Sequence, residues 1–201
     1  MDTDSPLLSA RFNEALDFAV SLHSRQIRKG SRVPYVSHLL AVCALVIEDG
    51  GTEDEAIAAL LHDAVEDQGG EPVLEEIHRR FGPKVAEIVH SCSDSSAKPK
   101  PPWRQRKEGY LAHLREASPE ARRVSCADKI HNARSILTDF RRTGDTVWTR
   151  FTAGRDETIW YYRSVVRTLR EVGGSPMVEE LARLVAELEW AVYQPRTSEL
   201  L

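Results

Sequence analysis

The chain has 201 residues, 41% of them hydrophobic and 29% charged. That composition belongs to soluble globular proteins, excludes a disordered polymer and leaves room for one substantial core. With 27 basic against 31 acidic residues the net charge is −4, which argues against a dedicated nucleic-acid or membrane-surface binder, although local basic patches remain open. Three cysteines, Cys43, Cys92 and Cys126, are odd in number and lack metal-ligand spacing. They read as small buried hydrophobes in a reducing compartment. The opening Met1-Asp2-Thr3-Asp4-Ser5-Pro6 has no basic region followed by an apolar run, and no apolar segment reaches membrane-spanning length. A cytoplasmic protein is expected.

Helical punctuation recurs along the whole chain, and no alternating strand or hairpin pattern stands out. From Pro6 to about His23, Leu8, Phe12, Ala15, Leu16, Ala19 and Leu22 recur at helical spacing. Ser24 to Val33 is a basic, glycine-containing loop. Pro34 then opens a helix from Tyr35 to about Glu48, stopped by Gly50-Gly51. Thr52-Glu53-Asp54-Glu55 has the spacing of a capping box, and the helix it starts runs to Gly69-Gly70. Short helices follow over Val73–Phe81 and Pro83–Cys92. The Ser- and Pro-rich stretch Ser93 to Pro102 reads as an exposed loop. Trp103 to Ala117 is helical with a basic start. Ser118-Pro119 caps and opens a long helix to about Arg142. Helices over Thr152–Val172 and Pro176–Tyr193 close the chain. The expected architecture is all-α, about nine helices in one domain spanning residues 1–201.

The helix after the capping box carries the unusual chemistry. Ala58-Ala59-Leu60-Leu61 is apolar, and then His62, Asp63, Glu66 and Asp67 arrive within six positions, with no Lys or Arg between Glu55 and Arg79. Burying such groups is costly unless they are paired or hold a metal. His62/Glu66 and Asp63/Asp67 are each one helical turn apart and would share roughly one face. His38 interrupts a second apolar helix, and Asp128 interrupts a third beside Val124 and Ala127. Each alone has a bland reading, a satisfied core histidine or a surface pair with Lys129. Together, two imidazoles and two carboxylates suit Mn²⁺, Fe²⁺ or Zn²⁺ in an open, hydrolytic site. Glu66 and Asp67 remain for acid/base work, with one of the two crowded carboxyls expected to titrate high. Arg25, Arg28, Lys29 and Arg32 on one loop, and Lys98, Lys100, Arg104, Arg106 and Lys107 on another, could meet an anionic substrate. Trp148, Trp160, Tyr161 and Tyr162 could stack on a purine, although aromatics at helical spacing are more often core.

These residues resemble a known family. His38, His62-Asp63 and Asp128 follow the H…HD…D order of HD-domain metal-dependent phosphohydrolases. The flanking motifs are narrower: Arg28-Lys29-Gly30 before Pro34-Tyr35-x-x-His38, Ala59-Leu60-Leu61-His62-Asp63-x-x-Glu66-Asp67, Phe81-Gly82-x-x-Val85, and Ala127-Asp128-Lys129-x-x-Asn132-x-Arg134. They are similar to the hydrolase domain of RelA/SpoT homologues, in particular the stand-alone small alarmone hydrolases. The similarity runs over about residues 10–170 and implies an HD-type helical bundle with the helix 176–193 packed on it.

It also implies hydrolysis of the 3′-pyrophosphate of (p)ppGpp, dependent on Mn²⁺, with a small nucleotide as substrate and no nucleic acid or membrane as partner, the oligomeric state being left open. His38, His62, Asp63 and Asp128 would hold the ion. Glu66 and Asp67 match the acidic pair that activates water, Arg28 and Lys29 match substrate-contacting positions, and Asn132 and Ser135 match nucleoside-contacting ones. Two alternatives stand beside this: an HD phosphohydrolase acting on (p)ppApp, NADPH or another nucleotide, and a nucleotide-binding module without turnover. The intact Glu66-Asp67 pair speaks against the second. The chain departs from the family where Ser93–Pro102 replaces the usual lid sequence.

Overall fold

The computed structural model describes residues 7–93 and 101–194. Among them are ten α-helices, a 3₁₀ stretch over Gly144–Arg150 and no strand beyond an isolated bridge between Ile27 and Pro34. The nine helices expected from the sequence are all present, one of them in two pieces. Most of the expected Ser93–Pro102 loop, with Lys98 and Lys100, lies outside the described residues. The chain clusters into two compact units that divide between Asp128 and Lys129, inside a single long helix.

The first unit holds α1 (Ala10–Leu22), α2 (Val36–Glu48), α3 (Glu53–Leu61), α4 (Ala64–Gln68), α5 (Glu71–Phe81), α6 (Pro83–Cys92), α7 (Trp103–Glu116) and the start of α8 (Pro119–Thr143). Helix α3 is its centre, packed against α1, α2 and α6. Ala56 through Leu61 are wholly buried, so the helix is apolar all round, as a core helix must be. Burying Ile57, Leu60 and Leu61 contributes about 1.5–3 kcal/mol each. The predicted capping box is formed: the Thr52 hydroxyl accepts from the Glu55 amide, and Glu55 accepts from the Thr52 amide at 2.7 Å. Such a cap stabilises a helix by about 1 kcal/mol.

The sequence predicts one continuous helix from Thr52 to Gly69; the structure breaks it at His62–Asp63. Neither residue is a helix breaker. Instead the His62 ring takes over a backbone group: Nδ1 donates to the Ala59 carbonyl at 2.7 Å, one of the last carbonyls of α3, which lack partners within the helix. Asp63 then stands at the N-cap position of the five-residue α4 without a capping hydrogen bond from its side chain. Gly70, at φ +67, ends that segment in the left-handed region that glycine adopts most cheaply. Helix α5 starts at Glu71, earlier than expected, because Pro72 fits the first turn, where no backbone donor is needed.

The second unit contains the rest of α8, the 3₁₀ stretch, α9 (Gly154–Glu171) and α10 (Pro176–Tyr193). Helix α10 packs on α9, and Arg134 and Arg141 of α8 pair with Glu180 and Glu187 of α10. Trp148 packs between Phe140 and Phe151, and Tyr161 and Tyr162 are buried. These aromatics are core, which leaves half-buried Trp160 as the most accessible of the four considered for purine stacking. Cys43 and Cys126 are buried as expected, and burial pushes the Cys43 thiol up to about 12. No helix among the described residues is long and apolar enough to cross a membrane.

Candidate metal centre

Three helices bring the predicted residues together. His38, in the first turn of α2, is wholly buried, and its ring lies 5.1 Å from that of His62 at 70°. His38 Nε2 is 3.2 Å from Asp128 Oδ1 and 3.5 Å from Asp63 Oδ2. His62 Nε2 is 3.1 Å from Asp63 Oδ2 and 3.7 Å from Asp128 Oδ1. One ligand atom each from His38, His62 and Asp128 fall within 4.8 Å of one another.

These residues fit a metal ion on two observations. With Nδ1 of His62 committed to the Ala59 carbonyl, Nε2 presents a lone pair toward carboxylate oxygens and, although buried, forms no hydrogen bond. Lone pairs facing lone pairs repel unless a proton or a metal cation lies among them. Ligand bonds of about 2.0–2.2 Å at tetrahedral or right angles separate neighbouring donors by roughly 2.8–3.6 Å, close to the 3.1–3.7 Å found here. Electrostatics agrees. Burial alone would suppress charge on the His62 ring, but the Asp63 charge and contacts with Asp128 and Asp63 hold its pKa well above the ordinary value. Burial would raise Asp63, yet His62 and His38 hold it well below the usual carboxylate range. The centre is built to contain positive charge.

Tyr35 braces this centre, a role the sequence did not reveal beyond its place in a motif. Its hydroxyl donates to Asp63 Oδ2 at 2.6 Å. Burial, then the Asp63 charge, push the phenol far above its ordinary pKa, so it stays a donor. The ring stacks on His23 at 5.3 Å and meets the edge of His38 at 5.5 Å. Arg28 lies over the same ring at 5.7 Å, which ties the basic loop to the centre through one side chain.

Glu66 and Asp67 occupy α4, just past the break. Asp67 opens to solvent on one side. Burial raises its carboxyl above the ordinary value against a hydrogen bond from Gln26, and Asp63 and Glu66 add to the rise while His23 opposes it. Gln26 Nε2 donates to Asp67 Oδ2 at 2.7 Å, and His23, Gln26 and Gln68 form a polar cluster behind it. None of the three was legible as a site residue. The only hint was a glutamine in the loop that precedes the Arg28-Lys29 pair.

Arg25, Lys29 and Arg32 are exposed on that loop. Lys107 lies 6.0 Å from the Tyr110 ring centre on α7, in the first unit. Asn132 and Ser135 are half-buried on the continuation of α8, in the second unit, where the Ser135 hydroxyl donates to the His131 carbonyl at 2.9 Å.

Comparison with known proteins agrees with this geometry. The HD domain family matches residues 15–159, and that domain implies a divalent metal. The guanosine-3′,5′-bis(diphosphate) 3′-pyrophosphohydrolase MESH1 of Xenopus tropicalis is 37% identical over 139 residues, 68% of this chain and 73% of the relative. MESH1 of Homo sapiens is 34% identical over 131 residues, 64% of this chain and 70% of the relative. The solved structure of a metazoan ortholog of SpoT, which hydrolyzes ppGpp, superposes with a TM-score of 0.76 at 27% identity, covering 91% of this chain and 98% of that one. From motif order, buried centre and similarity together, the chain belongs to the HD-domain family and is a homologue of the MESH1 3′-pyrophosphohydrolases.

Proposed function

We propose that this chain removes the 3′-pyrophosphate of guanosine 3′,5′-bis(diphosphate), releasing GDP and pyrophosphate (GTP from the pentaphosphate), with Mn²⁺ as its ion. The observation that carries this reading is the meeting of buried His38, His62 and Asp128 with half-buried Asp63 in a chain whose relatives bear that activity.

Those four side chains would hold the ion, which when bound lowers the pKa of a water toward neutrality and polarises a phosphoryl oxygen. Tyr35 fixes the orientation of Asp63, as outer partners of metal ligands do. Asp67, with Glu66 beside it, accepts the proton of the attacking water; Oδ2 is held by Gln26, so Oδ1 is the acceptor. Arg28, Lys29 and Lys107 draw the pyrophosphate's charge, and Asn132 and Ser135 contact the nucleoside.

Chromatography of products after incubation with ppGpp and Mn²⁺ tests this. Equimolar GDP and pyrophosphate are expected. Intact ppGpp after prolonged incubation with Mn²⁺, Zn²⁺ or Fe²⁺ would overturn it, and faster turnover of ppApp or NADPH would reassign the substrate.

A further inference from the structure

The cluster behind Asp67 has no part in holding a metal, yet its members are joined to one another and to Asp67 by hydrogen bonds. An ionised Asp67 accepts only donors, so the Gln26 amide must turn its Nε2 toward Oδ2, at 2.7 Å. That leaves Gln26 Oε1 facing inward, where His23 Nδ1 lies 2.6 Å away and Gln68 Nε2 also donates to it. The acceptor role of Oε1 makes His23 Nδ1 the donor. His23 is itself buried and stacked on Tyr35. Both ends of the glutamine are therefore specified, and its three side-chain torsions are fixed by groups from the end of α1 and from α4.

Such bracing has a physical reason. Helix α4 is five residues long and ends at Gly69-Gly70; so short a helix has little stability of its own. A carboxylate on it would swing unless something outside the helix held it. Gln26 comes from the loop after α1, 41 residues away in sequence. It occupies one oxygen and leaves the other for a proton.

We propose that Gln26, backed by His23 and Gln68, is a positioning residue that holds the Asp67 carboxylate in place for proton transfer. The proposal rests on the hydrolytic reading of the site. The groups that face Asp67 are Asp63 and Glu66 on its own stretch, His23 from the end of α1 and Tyr35 before α2. Against their net negative charge, the Gln26 donor favours the ionised form.

The test is Gln26→Met, which keeps the length and removes the amide, with Gln68→Met as a second variant that removes one brace. In the full chain with Mn²⁺ and ppGpp, Gln26→Met should lower kcat about 10-fold with KM within about twofold. The acid limb of its pH–rate profile should move up by about half a unit or more. In an Asp67→Asn background the same change should cost nothing further. A rise in KM with an unmoved acid limb, or a loss that adds fully to that of Asp67→Asn, would overturn the proposal.

Carbon NMR titration of the Asp67 carboxyl in Zn²⁺-loaded protein reads the same contact without turnover. An upward shift in Gln26→Met supports the assignment and an unchanged titration rejects it, even if ppGpp proves not to be the substrate.

Discussion

The two ends of helix α3 meet acidic groups in opposite ways. At its start Glu55 is almost wholly buried, and the Arg123 guanidinium of α8 pairs with it while also holding Asp49 at 2.8 Å. At its far end His62 meets Asp63 and, five residues along α8 from Arg123, Asp128. Arginine is a permanent cation with no lone pair to offer, so the first cluster is complete as built. Imidazole nitrogens are bases, so the second cluster is suited to a cation from outside. One pair of helices thus carries a structural ion pair and a binding centre side by side. Which group faces the carboxylate decides between them.

Breaking the second cluster should have the largest effect. Asp63→Ala or Asp128→Ala is expected to lose metal, read by elemental analysis, and on the order of 10³-fold in kcat/KM, about 4 kcal/mol. Asp67→Ala should lose about 10²–10⁴-fold in kcat while keeping its metal. Equal metal loss in Asp63→Ala and Asp67→Ala would erase the division between ligands and acid pair. In the unaltered chain the raised proton affinity of Asp67 has a definite sign. The active form is the carboxylate, so the rate should fall as pH drops through a value above that of an ordinary aspartate, and a flat profile down to the ordinary aspartate value would contradict the role.

Breaking the first cluster should do the reverse. Removing one partner of a buried pair leaves the other uncompensated and costs about 3–5 kcal/mol. Arg123 is partly exposed, so Arg123→Met should lower unfolding stability by roughly 2–4 kcal/mol in urea titrations while leaving metal content intact. Loss of metal in that variant would show the two ends to be one system. The smallest effect sharpens the account of Tyr35. Tyr35→Phe should weaken metal binding or activity about 10–100-fold, as losses of outer partners do, with little change in thermal midpoint.

Much of the fold and of the metal centre is legible in the amino-acid sequence. His38, His62, Asp63 and Asp128 each interrupt an apolar helix, and burial makes such an interruption expensive, so the pattern carries the chemistry. The capping box at Thr52 is likewise local and can be read directly. What the sequence hides depends on pairing across distance: Tyr35 with Asp63, Gln26 with Asp67 and Arg123 with Glu55 lie 28, 41 and 68 residues apart. The break at His62–Asp63 is hidden for a different reason. It is set by a side chain satisfying a backbone carbonyl, which no propensity reports. The aromatic residues of α9 are open to two readings because helical spacing is the same for a core and for a stacking platform. Only burial separates them.

The central claim is that His38, His62, Asp63 and Asp128 hold one divalent cation. Anomalous diffraction at the manganese edge from crystals grown with Mn²⁺ tests it most directly. A single strong peak among the two Nε2 atoms and the two carboxylates, absent in His62→Ala, is the predicted result. A peak elsewhere, or none among these four side chains at saturating Mn²⁺, would contradict it.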